Sequence, residues 1–168
     1  MTSVRHGARA LLPRPLWVLL RRVWSYARRL GHWGLIMIQL RGDSVSDTAK
    51  LWLSAIAAPL TALPDLDRWR NPQLLFDARI RVAGSGRFLC RRGTDDLWHV
   101  LPAAQRALHL ALAEVLAPGG VFVDAGANIG AFTLPAARLV GPAGRVVAIE
   151  MMPETVLRLR DHARDNGL

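Results

Sequence analysis

The chain has 168 residues, 51% hydrophobic and 21% charged, with a net charge of +9. That balance excludes a disordered or fibrous protein, and the single cysteine, Cys90, excludes a disulfide framework and a cysteine-based zinc site. The charge alone would suggest nucleic acid or a membrane, but residues 1–42 hold eight arginines and no acid while the remainder is nearly balanced; this lacks the one-faced basic footprint of a nucleic-acid-binding domain, and no nucleic-acid partner is expected.

Residues 1–15 read as irregular around Pro13 and Pro15. From Leu16 to Leu30 apolar residues recur at spacings of three and four, with Trp17 and Trp24 beside them and Arg21, Arg22, Arg28 and Arg29 opposite. This basic amphipathic helix fits the common case of a surface helix packed on its own domain or on a partner subunit. Its functional alternative is a peripheral contact with an anionic membrane through residues 16–30. The paired arginines forbid a transmembrane span, and Pro13-Arg14-Pro15 breaks any signal-peptide core. The cytoplasm is therefore the expected location.

A second apolar patch, Leu35 to Ile38, ends at Arg41-Gly42-Asp43. Ser46 or Asp47 is the predicted cap of a helix running to about Ala58, and Pro64, Asp65-Leu66-Asp67-Arg68 and Asn71-Pro72 read as a linker. Residues 1–74 thus form a predicted basic, mainly helical extension, distinct from 75–168. Arg79-Ile80-Arg81-Val82 and Arg87-Phe88-Leu89-Cys90, separated by Ala83-Gly84-Ser85-Gly86, predict a β-hairpin. Residues 102–117 predict a helix with Leu108, Leu112, Val115 and Leu116 on one face, stopped by Pro118-Gly119-Gly120. Cys90 is expected in the core. His99, His109 and His162 lack metal-ligand spacing and are expected on the surface.

From Gly120 the pattern becomes β-α-β-α. Val121-Phe122-Val123 suits a central parallel strand, Ala131–Leu139 a helix, Arg145–Ile149 a second strand, and Glu154–Asp165 a helix capped by Asn166-Gly167. A glycine-rich turn between strand and helix lets backbone approach a ligand, and an acid ending the next strand can bind ribose hydroxyls. Glu150 stands near the expected spacing of about 20 residues after the turn. The dinucleotide fingerprint fails, because Asn128 and Ala131 occupy its second and third glycine positions; an NAD-dependent half-domain is disfavoured accordingly. An acid ahead of the turn, Asp124, repels a diphosphate and suits a cation. S-adenosylmethionine (SAM), with its sulfonium and amino group, fits better.

At these residues the chain resembles the FkbM family of SAM-dependent methyltransferases. Phe122-Val123-Asp124-Ala125-Gly126-Ala127-Asn128-Ile129-Gly130-Ala131-Phe132-Thr133 is similar to its glycine motif. Arg145 to Glu150 with Pro153 is similar to its second strand, although Met151-Met152 intervene. Thr94-Asp95-Asp96 is similar to its upstream T-x-D element. The resemblance covers roughly residues 78–168. It implies an α/β, partial Rossmann-like (class I) SAM-methyltransferase fold carrying an N-terminal helical extension and a β-hairpin. Asp124, Gly126, Ala127, Asn128 and Gly130 would surround the cofactor, and Glu150 would meet its ribose. The implied reaction is O-methylation of a small-molecule or sugar hydroxyl, and Asp96 is the candidate general base. The family's sheet has seven strands and this chain supplies two, so the catalytic domain is expected to be incomplete and to bind SAM weakly or not at all alone. The rival reading is a non-enzymatic, degenerate fragment whose basic helix binds a membrane or a partner.

Overall fold

The computed structural model describes residues 13–61 and 71–168. Of the predicted irregular segment 1–15, residues 1–12 lie outside them, as do the linker residues Pro64 to Arg68, and Arg14 and Pro15 are helical instead. The described residues form a mixed α/β structure, with six helices and sheets of three and two strands. In chain order these are α1 (Arg14–Gln39), β1 (Leu40–Gly42), α2 (Val45–Thr61), β2 (Ala78–Val82), β3 (Gly86–Cys90), α3 (Asp96–His99), α4 (Arg106–Val115), β4 (Val121–Ala125), α5 (Thr133–Val140), β5 (Arg145–Ile149) and α6 (Pro153–Asp165).

Helix α1 runs on through Gly31 and Gly34 and absorbs the apolar patch predicted as separate. Pro15 is tolerated because it sits in the first turn, where its missing N–H has no intrahelical partner to lose. The N-terminus of α2 differs from expectation in its cap. Ser44, not Ser46 or Asp47, does the capping: its hydroxyl accepts the Asp47 N–H at 3.0 Å, as an N-cap serine does, and donates to the Asp47 carboxylate at 2.7 Å.

The hairpin β2–β3 forms as predicted, with Arg81 opposite Arg87 and Val82 opposite Gly86. Alternate residues are buried along both strands, as in an antiparallel sheet with one face on a core. The unpredicted strand is β1, which pairs antiparallel with β2, Arg41 opposite Arg81. Residues before 74 and after 75 therefore share one sheet and one core. Trp33, Ile36, Leu40 and Leu51 pack in the same cluster as Ile80, Phe88, Leu97, Ile129 and Leu134.

Strands β4 and β5 pair in parallel, with Val123 opposite Val147 and Ala125 opposite Ile149. β5 has its predicted bounds and β4 runs two residues past the predicted 121–123, but β4 is not central. Val121 is 67% exposed and Val123 56%; among the described residues β5 is the one strand neighbour of β4, and the hairpin belongs to the other sheet. The core gathers around the three-stranded sheet instead. Helix α4 also falls short of its prediction. Residues 102–105 form turns, and of the expected apolar face only Leu112 is buried, with Leu108 and Val115 more than half exposed.

Candidate functional site

Between β4 and α5 the backbone turns through Gly126 to Gly130. Positive φ angles recur at alternate residues: Gly126 at 83°, Asn128 at 48° and Gly130 at 92°. Asparagine is among the few residues with a side chain that enter this region readily. The Gly126 and Ala127 N–H groups both donate to the Ile149 carbonyl, at 2.8 and 2.9 Å, which folds the loop over the C-terminal end of β5. Glu150 completes the attachment. Its Oε2 accepts the Asn128 N–H at 2.9 Å and its Oε1 the Met152 N–H at 2.9 Å. These amides, Met152 first and Asn128 next, hold its carboxyl below the ordinary range. A carboxylate offers about four lone-pair sites, so this half-exposed side chain keeps acceptor capacity for a ligand's hydroxyl groups.

The two glycines do different work. A Cβ added to Gly130 would stand 2.6 Å from Leu159 Cδ1 and 2.8 Å from Leu134 Cδ1, whereas one added to Gly126 meets nothing within 4 Å. Gly130 thus lets the loop pack on α5 and α6, and Gly126 borders open space. We expect Gly130→Ala to cost more than Gly126→Ala. Both incur about 1–2 kcal/mol for left-handed backbone, and Gly130→Ala adds about 1–3 kcal/mol of overpacking. Urea unfolding of both variants checks this, and equal losses would remove the packing role.

Asp124 lies beneath the loop rather than facing outward. It is 8% exposed, and its Oδ2 accepts the Thr133 hydroxyl at 2.5 Å, which ties β4 to the first turn of α5. Ala127 is buried in the core, so only its backbone belongs to the loop. Asp96 is fully buried. Its Oδ2 accepts Arg91 Nε at 2.7 Å and the Arg91 backbone N–H at 3.0 Å, and its Oδ1 accepts Arg91 Nη2 at 2.8 Å. Burial opposes its charge, but the Arg91 bonds prevail and hold its pKa below the ordinary value. The candidate base is therefore the buried half of an ion pair whose Arg91 side chain is 27% exposed. Thr94 supports it, accepting the Asp96 N–H at 3.3 Å. Cys90 is buried, and burial pushes its thiol pKa up.

His162 departs furthest from expectation. It is 3% exposed, not on the surface. Its Nδ1–H donates to the Ile129 carbonyl at 2.8 Å, and its Nε2 accepts the Leu89 N–H at 2.8 Å. One carbonyl and one amide fix a neutral ring and its tautomer. Burial lowers its pKa, outweighing the Ile129 bond. His162 thereby joins the glycine loop to β3. Two further side chains treat β3 alike: Asn166 Oδ1 accepts the Arg87 N–H at 2.9 Å, and Asp96 accepts that of Arg91. The amides at 87, 89 and 91, alternate positions along one edge, are all closed by side chains where another strand would otherwise pair. The signal that finds these residues is helical spacing, since Thr155, Leu159 and His162 are the buried residues of α6 and Asn166 continues their face.

Val146 and Ala148 of β5 wall an apolar groove of 780 Å³ with α5 and α6; neither Gly126 nor Glu150 lines it. Among the described residues no group of three His, Cys, Asp or Glu side chains could hold a metal ion. Comparison with protein-family models, with curated proteins and with solved structures gives no significant match.

Proposed function

We propose that the loop from Gly126 to Gly130, with Glu150, is the SAM site of a methyltransferase domain acting on a hydroxyl of a small molecule or sugar. The observation that carries this reading is the Glu150 carboxylate. It directly follows β5, is fastened to the loop through Asn128, and keeps free lone pairs where ribose hydroxyls would donate. The parallel β4–β5 pair joined through α5 supports a Rossmann-like architecture for this part of the chain. The open space beside Gly126 gives a ligand room against bare backbone. Asn128 takes up the left-handed conformation that the loop needs without offering the bare backbone that a diphosphate requires at the second glycine position.

When bound, SAM supplies a methyl group on a positively charged sulfur. The chain's own contribution is positioning. Glu150 orients the ribose, the backbone at Gly126 admits the cofactor closely, and Asp124 braces the loop through Thr133. Asp96, buried and paired with Arg91, is not assigned as the base. A second reading, a non-enzymatic module, is favoured by the exposure of Val121, Val123, Val147 and Ile149 on the β4–β5 pair.

Amide chemical shifts of the isotope-labelled protein separate the two. Excess SAM should shift the amides of residues 125–130 and 150–152 and leave β2 and β3 unmoved. The response should vanish in Glu150→Ala, whose remaining spectrum reports an intact fold. A response to SAM confined to residues outside the loop and Glu150, or an equal response to NAD, would overturn the cofactor assignment.

A further inference from the structure

Helix α1 uses one face for the protein and presents another, more apolar face outward. Trp33 and Ile36 are its only buried residues, and both lie near its C-terminal end. At 100° per residue, Leu16, Leu19, Leu20, Val23, Trp24 and Leu30 share an arc about 140° wide on a different side from that pair. Each is 42–59% exposed. Ile38, 75% exposed, prolongs the same arc past the buried residues. The stripe is thus not the surface by which α1 joins the core.

The flanks of this arc are basic. Arg28 borders one side and Arg22 the other, both exposed, with Arg14 opposite the stripe. No acid lies between Arg14 and Gln39. Arg21 stacks over Trp17 with its guanidinium 5.5 Å from the ring centre, and Arg28 over Trp24 at 5.6 Å. These i, i+4 pairs set indole rings on the boundary between apolar and charged arcs, where an aromatic with one apolar and one polar side is best placed at a membrane interface. Among the described residues no helix is long and apolar enough to cross a membrane. A helix with an apolar arc, arginines along both margins and no acid is complementary to a negatively charged lipid surface along which it lies flat.

We propose that α1 docks on an anionic bilayer surface, its stripe from Leu16 to Leu30 sunk into the headgroup boundary and Arg22 and Arg28 beside lipid phosphates. The anionic sign follows from the charge pattern, and a flat orientation from the length of the stripe. A nucleic acid would leave the apolar arc in water. The docking stands independently of the cofactor assignment, because it uses none of the residues of the glycine loop.

The test is co-sedimentation of the whole chain with vesicles of phosphatidylcholine alone or mixed with phosphatidylserine. Binding should require the anionic lipid and fall as salt rises, because screening shortens the reach of exposed charges. Arg22→Gln with Arg28→Gln should weaken it about tenfold or more, each basic side chain near such a surface being worth roughly a factor of five. Leu19→Glu with Val23→Glu should abolish it, and circular dichroism checks that α1 remains helical. Equal binding to neutral vesicles, or binding untouched by the glutamate pair, would overturn the proposal. So would light scattering that shows a dimer dispersed by the glutamate pair, since a second copy would then cover the stripe.

Discussion

Replacing His162 by alanine is expected to remove about 4 kcal/mol of stability, because two buried backbone groups lose their partner at about 1–3 kcal/mol each and a cavity opens beneath the loop. The Leu89 amide and the Ile129 carbonyl are the orphaned groups, and the edge-on contact with Phe88 at 5.5 Å goes too. For a chain of this length the melting temperature should fall by about 10 °C. Acid tests the same residue differently. Its folded pKa is lowered, so below about pH 6.5 the unfolded chain binds the proton more readily than the folded one. Stability from His162 is complete above that pH and is lost as pH falls toward the folded value. Asp96 and Asp165 nearby oppose the lowering, and Arg158 adds to it. His109, also lowered by burial, contributes with the same sign, so the comparison must be between wild type and variant. Urea midpoints from pH 8 to pH 5 should decline more steeply in the wild type. A loss below about 1 kcal/mol, or parallel pH curves, would show that water replaces the ring and that it clamps nothing.

Asp96→Ala should cost about 2–3 kcal/mol, at or below the low end for breaking a buried ion pair, because the Arg91 side chain left behind is 27% exposed and can turn to water. The Arg91 guanidinium and backbone N–H both lose their acceptor, in a turn that closes β3 against α3. Asp96→Asn keeps acceptor oxygen without the charge and should fall between wild type and alanine. Thermal unfolding of the three proteins gives the order. Were Asp96 a solvent-facing base instead, both substitutions would leave the melting temperature near that of the wild type.

These two residues mark where sequence reasoning stops. The βαβα segment is legible because glycines and prolines punctuate it: Gly120, Gly141-Pro142, Pro153 and Gly167 bound the observed elements nearly to the residue. Glu150 is legible by its place at the end of an apolar run. Strand β1 is not, because three residues carry no alternation and Leu40 to Gly42 become a strand only through pairing with β2. His162 and Asp96 look like surface residues on short polar stretches. What buries them is the approach of α6 and α3 to β3; helical spacing sets His162 on the face of Thr155 and Leu159, but Asp96 stands in a four-residue helix with no such pattern. Likewise, the run Val121 to Val123 states that a parallel strand forms but not how many neighbours it finds.

The closure of β3 by side chains also has a consequence for the order of events during synthesis. Leu89 and its imidazole partner are 73 residues apart in the chain. At a translation rate of about 5–20 residues per second, the hairpin waits roughly 4–15 s for that partner to be made. Throughout that interval the amides at 87 and 89 lack the acceptors that later shield them. The nascent chain is then most vulnerable to pairing with a stranger, and a chaperone that holds the hairpin until α6 emerges would do the most for its yield.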